Sequence, residues 1–100
     1  MNFREPKLTR LASGAPCHLN VDRVCIGGGE TTVWCHSNLY RHGKGKSIKA
    51  HDCFGATGCY ACHAWLDQGK ASRDEKEAVF MRGLERTLLW LWREGKIKVA

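Results

Sequence analysis

No apolar run in this sequence approaches the roughly 20 residues that a bilayer-spanning helix needs, so nothing in it reads as a membrane segment. The opening residues, MNFREPKLTR, lack the apolar stretch and small-residue cleavage site of a secretory signal. Internal repeats and low-complexity tracts are missing as well, which excludes repeat architectures. One glycine is also absent where it would matter. Gly45-Lys46-Ser47 imitates the end of a phosphate-binding P-loop, but Tyr40 stands five positions before Gly45, where that motif requires glycine. A nucleotide-binding P-loop is therefore excluded. With no export signal, the expectation is a cytoplasmic protein without membrane association, and there paired cysteines favour a metal over disulfides.

What is present fits one small domain spanning residues 1–100, with 43% hydrophobic residues and six cysteines. A core of this size gives modest stability, so a metal staple would matter. The net charge of +6, with a pI near 9.2, points to a polyanionic partner such as nucleic acid. Residues 41–49, RHGKGKSIK, gather Arg41, Lys44, Lys46 and Lys49 with no acid among them. Two glycines there predict a flexible segment whose backbone can approach a phosphate. A plain solvated loop is the competing reading.

Along the chain, residues 1–15 read as an irregular arm closed by Ser13-Gly14 and Pro16. CHLNVDRVC, from Cys17 to Cys25, reads as a looped excursion, and Gly27-Gly28-Gly29 as a turn. TTVWCH, Thr31 to His36, is β-branched and aromatic and predicts a strand; residues 52–58 predict a weaker one. The Ala-rich stretch from Tyr60 to about Gln68 predicts a short helix stopped by Gly69. Ser72 with Glu75 matches a capping box for a helix over 72–95, ended by Gly95. Met81, Leu84, Leu88 and Leu91 recur on it at helical spacing, and Phe80, Trp90 and Trp92 widen the apolar surface as packing residues.

Cysteine spacing carries the most chemistry. Cys59 and Cys62 form one tight knuckle, and a tetrahedral zinc site needs a second pair converging on it. Cys35 and Cys53 lie within predicted strands, where cysteine usually serves as a small buried hydrophobe. Cys17 and Cys25 flank a polar loop, so the expected quartet is Cys17, Cys25, Cys59 and Cys62. The letters Cys59-Tyr60-Ala61-Cys62-His63 also match haem attachment, but that usually accompanies export and leaves Cys17 and Cys25 without a role. If a helix opens at Cys62, His63 and Asp67 share one face four residues apart. Such a pair can hold one divalent ion with positions open for water and phosphate, or it can be a weak surface contact.

A strand ending in His36, a second strand, and then CxxCH with an acid four residues on resemble the HNH, or ββα-metal, nucleases. The segments PC…VC…GGETTVWCH, HDCFGATGCYACHAWLD and REGKIK resemble, more narrowly, the YbcO-like nuclease family of lambdoid phages and prophages. The resemblance runs from about Leu8 to Lys98 and is most specific over residues 30–67. It implies an α+β fold, a small zinc-stabilised ββα-metal domain with a C-terminal amphipathic helix. It also implies a metal-dependent endonuclease acting on phosphodiester bonds in DNA. His36 would be the general base, His63 and Asp67 would hold catalytic Mg²⁺ or Mn²⁺, and the cysteines would hold structural zinc. Two positions depart from the pattern. Cys35 precedes the base where an Asp or His often binds metal. The middle asparagine has no clean counterpart either: Asn38 lies too near His36, and Asp52 sits closer to the expected place. The alternative functions are a noncatalytic zinc-stabilised nucleic-acid-binding protein, or an interaction module using the Trp90 and Trp92 helix as a homodimer or partner dock.

Overall fold

The computed structural model describes all 100 residues. Its elements are α1 (Pro6–Thr9) continuing into a 3₁₀ turn at Arg10–Ala12, β1 (Val33–His36), a 3₁₀ turn at Tyr40–His42, β2 (Gly55–Gly58), α2 (Tyr60–Gln68) and α3 (Arg73–Arg93). The two strands pair antiparallel in the register Val33↔Gly58 to His36↔Gly55. The architecture is a small α+β frame, with α3 laid against β2.

Strand β2 has the sequence Gly-Ala-Thr-Gly, and all four of its residues are buried. Small side chains are required there because both faces are covered. A Cβ at Gly55 would fall on the indole of Trp34, and one at Gly58 would lie 2.6 Å from Leu19 Cδ1 and 2.9 Å from Cys35 Sγ. The expected strand over 52–58 is therefore shorter. Cys53 lies in the preceding turn and is exposed, which corrects its reading as a buried strand residue. Cys35 does behave as a buried hydrophobe, within the core of Cys17, Leu19, Val21, Ala56, Leu66 and Phe80.

The helix boundaries follow local chemistry. The Cys59 sulfur caps α2 by accepting from the Cys62 N–H, and Gly69 donates back to Trp65. The capping box of α3 is formed, with Ser72 Oγ accepting from Glu75 N–H at 3.0 Å, and Gly95 takes a left-handed φ of 66° just beyond its end. The buried stripe differs from the expected one. It runs Phe80, Gly83, Thr87, Leu91, whereas Met81 and Leu84 are half-buried and Leu88 is exposed. The reason is the close approach of β2. A Cβ at Gly83 would sit 2.7 Å from Leu19 Cδ2, and Thr87 Oγ1 accepts from the Thr57 N–H at 3.0 Å. Trp90 packs with Ala12, Trp34 and Leu91, while Trp92 is exposed beside Leu88 and Leu89 and is not a packing residue.

The N-terminal arm is also more ordered than its residues suggested. Glu5 caps α1 through Lys7 N–H, and Pro6 occupies the first turn, where its missing N–H costs nothing. Ahead of it, Asn2 Nδ2 donates to the carbonyls of Gly43 and Lys49, both at 2.7 Å. Arg4 donates to the carbonyls of Lys49 and Ala50. The arm thereby clamps residues 43–52 against the sheet.

Candidate active site and metal centre

The sulfurs of Cys17, Cys25, Cys59 and Cys62 all lie within 4.8 Å of one another. They come from two places. Cys59 and Cys62 open α2, while Cys17 and Cys25 bound the loop that Gly28 folds back on itself. A Cβ at Gly28 would lie 2.5 Å from the Cys17 nitrogen, so only glycine permits that return. A zinc tetrahedron with bonds of about 2.3 Å separates its sulfurs by about 3.8 Å. The Cys25 and Cys59 sulfurs are 3.9 Å apart. Backbone N–H groups of Val21, Gly27 and Cys62 point at three of the four sulfurs, each at 3.4 Å, as thiolate ligands require. Burial opposes ionisation of Cys59, yet backbone donors at Ile26 and Cys62 together with the Cys62 and Cys17 thiols bring that thiol down to about 7. Burial pushes Cys62 upward. The donor set fits a closed four-thiolate ion site and leaves no position for substrate.

His36 ends β1 with its imidazole largely covered. Its Nε2 lies 2.8 Å from Asp52 Oδ1, across the turn before β2. Asp52 is itself held by Arg4 at 3.1 Å and by the Glu5 N–H at 2.6 Å. Burial pushes that carboxyl up, but His36, the Glu5 N–H and Arg4 together bring it below the usual carboxylate range. In the neutral ring, an ionised Asp52 accepting from Nε2–H leaves His36 Nδ1 as the acceptor. Nδ1 has no partner within the chain and is not sealed from solvent.

On α2, His63 Nε2 and Asp67 Oδ2 meet at 3.2 Å, one turn apart and both partly exposed. Asn38 donates from Nδ2 to Asp67 Oδ1 at 2.9 Å, bridging from the end of β1 to α2. No third His, Cys, Asp or Glu joins this pair at ligand distance. Cys35, before His36, faces the core and offers nothing to it. The pair thus presents two donors with a wide open side. The two residues weighed for the missing asparagine divide its surroundings: Asp52 holds His36, and Asn38 holds Asp67. Arg4 was not legible as part of this network, because its partner is 48 positions away.

The basic segment is only partly as expected. Gly45 and Ile48 exchange backbone hydrogen bonds, which puts Lys46 and Ser47 at a hairpin tip with Ser47 at φ 59°. With Asn2 and Arg4 gripping its carbonyls, the segment is a braced turn. Arg41 is tied to Glu77 of α3 at 3.3 Å, whereas Lys44, Lys46 and Lys49 make no ion pair.

A two-stranded frame with four converging thiols, carrying a His–Asp pair at the strand end and a second on the adjoining helix, defines a small protein of the α+β class with a four-cysteine cluster. Comparison with known proteins narrows this. The family model described as "Putative nuclease YbcO" matches residues 6–96, and the chain belongs to that family. It is 34% identical over 95 residues to "Putative nuclease YbcO" of Escherichia coli (strain K12), covering 91% of this chain and 96% of that one. "Putative nuclease ybcO" of Enterobacteria phage 82 matches with the same identity and coverage. A solved structure described as "Structure of a putative bacteriophage protein from Escherichia coli str. K-12 substr. MG1655" superposes with a TM-score of 0.68 at 25% identity, over 87% of this chain and 98% of that one.

Proposed function

We propose that this chain is a metal-dependent endonuclease of the HNH, or ββα-metal, kind, hydrolysing phosphodiester bonds in DNA. The observation that carries the reading is the placement of His36. It sits at the end of β1, fixed through Nε2 by Asp52, with Nδ1 reachable from solvent. A neutral imidazole so held can take a proton from an attacking water near pH 7. Asp52 keeps the ring in the needed tautomer and stabilises the imidazolium that forms. Asn38 orients Asp67 by its hydrogen bond, and Asp67 with His63 forms the donor pair suited to Mg²⁺ or Mn²⁺. Such an ion would supply Lewis-acid polarisation of the scissile phosphate and charge stabilisation at the leaving oxygen. The cysteine quartet, read as the structural Zn²⁺ site, fixes the start of α2, so that His63 and Asp67 project from an anchored helix. Lys44, Lys46 and Lys49 supply charge for phosphate contacts along the braced turn, and Arg41 serves mainly to tie that turn to α3.

The test is cleavage of supercoiled, linear and single-stranded DNA and of RNA by wild type and His36→Ala, purified identically. A lost general base should lower the rate about 10²–10⁴-fold while folding and binding persist. Equal cleavage by both removes His36 from the mechanism. No cleavage by wild type on any substrate favours the noncatalytic nucleic-acid-binding module.

A further inference from the structure

Beside Asp67 lies a groove of about 710 Å³ between the 3₁₀ turn at residues 40–42 and the first turns of α3. Its size falls within the range of about 300–1,000 Å³ typical of sites that enclose a small ligand. Asn38, Tyr40, Lys44, Asp67, Arg73 and Lys76 contribute its polar lining, over a floor that includes Leu66 and Phe80. The charge in it is unbalanced. Both acids are engaged, Glu77 by Arg41 and Asp67 by Asn38 and His63, while Lys44, Arg73 and Lys76 have no ion-pair partner. Such a lining attracts an anion.

Tyr40 makes the groove more specific. The residue is 89% exposed, which is unusual for an aromatic. It also stands on a fixed base. The next two residues are anchored, Arg41 to Glu77, and His42 by Ser37 Oγ at 2.6 Å and by stacking on Phe54 at 4.3 Å. An exposed aromatic side chain sharing a groove with three unpaired cations is an arrangement suited to single-stranded nucleic acid, with the base on the ring and phosphates on the cations. Bases within a duplex already stack on each other, so the ring can serve only a base that has left the stack.

We propose that this groove binds an unpaired nucleotide next to the His63–Asp67 pair, its base stacked on Tyr40 and its flanking phosphates held by Lys44, Arg73 and Lys76. This rests on the nuclease reading for its biological sense, but binding can be measured without cleavage. The experiment is fluorescence anisotropy with no added divalent metal, using a short DNA strand, the RNA strand of the same sequence, and the blunt DNA duplex. Tyr40→Ala should weaken single-strand binding by roughly 5–160-fold and leave duplex binding within about twofold, since one stacked base is worth about 1–3 kcal/mol. Tyr40→Phe should bind as wild type. Replacing Arg73 and Lys76 with alanine should reduce the single-strand salt slope by about 1.4 units. The strand type bound more tightly, DNA or RNA, names the source of the nucleotide. Unchanged single-strand affinity in Tyr40→Ala, or equal losses on single strand and duplex, would overturn the proposal. An inactive wild type that still shows the Tyr40→Ala effect would retain this groove and discard the nuclease, and the reverse pattern would do the opposite.

Discussion

Replacing Asp52 by asparagine should unfasten two parts of the protein at once. The carboxylate accepts from His36 and Arg4 through Oδ1 and from the Glu5 N–H through Oδ2. Asparagine keeps the shape but turns one of those oxygens into a donor. Whichever way the amide is placed, at least one of the three donors then faces another donor. A buried group left unpaired costs about 1–3 kcal/mol, and the surviving bonds lose their charge assistance. Arg4 is 40% exposed and can turn to water, which discounts its share. The net loss is about 2–3 kcal/mol. For a domain of this size that lowers Tm by roughly 8–24 °C. The assay is circular dichroism melting at pH 7 with zinc present, together with limited proteolysis across residues 1–15. Faster cleavage of the arm is expected, because Asp52 receives the Glu5 N–H and the Arg4 guanidinium. If the protein is an active nuclease, its turnover should also fall while its divalent-metal requirement stays put. A Tm change under about 2 °C with an unaltered arm would refute the reasoning, since a Tm shift of that size corresponds to less than about 0.5 kcal/mol.

Elemental analysis should find one zinc per chain. Cys59→Ser should lose the ion and unfold the protein, because structural zinc contributes apparent free energies of about 10–16 kcal/mol; Cys53→Ser, exposed on its turn, should be mild, and zinc-free folded wild type would sink the assignment. The His18 and His42 imidazoles should both titrate below their ordinary range, His18 through burial and then Arg86, His42 through burial and then Arg41. Because the unfolded chain then binds protons more readily, stability from these two is present above about 6.5 and is lost as pH falls below it. NMR titration of the rings checks the sign, and a midpoint above 6.5 for either would contradict it.

The first strand, short helix and long helix were readable because their signals are local: a β-branched run, a capping box, glycines at the stops; the second strand, Gly-Ala-Thr-Gly, was readable only in part, since it has no such run. The quartet was readable for a similar reason, since a knuckle and a polar loop each announce themselves over a few residues. The buried stripe of α3 was misread because hydropathy favours Leu88, whereas close approach to a glycine-rich strand selects Gly83 and Thr87. The arm was misread because its order comes from bonds to residues more than forty positions away. That His63 and Asp67 face one another on α2 was readable from helical spacing. The separation of labour between Asp52 and Asn38 was not, because it depends on how the turn before β2 folds over the end of β1.

Cys62 and His63 are adjacent residues at the start of α2, and the helix that carries Asp67 is capped by the Cys59 sulfur itself. An agent that strips the thiol cluster therefore releases the very turn that sets the His63–Asp67 pair. If the quartet holds a structural ion and the protein cleaves nucleic acid, inhibition by a chelator would be ambiguous, since it would follow from loss of that ion whether or not any other takes part. The informative experiment is titration: metal added back to zinc-loaded, Mg²⁺-depleted protein, with zinc content followed alongside the rate.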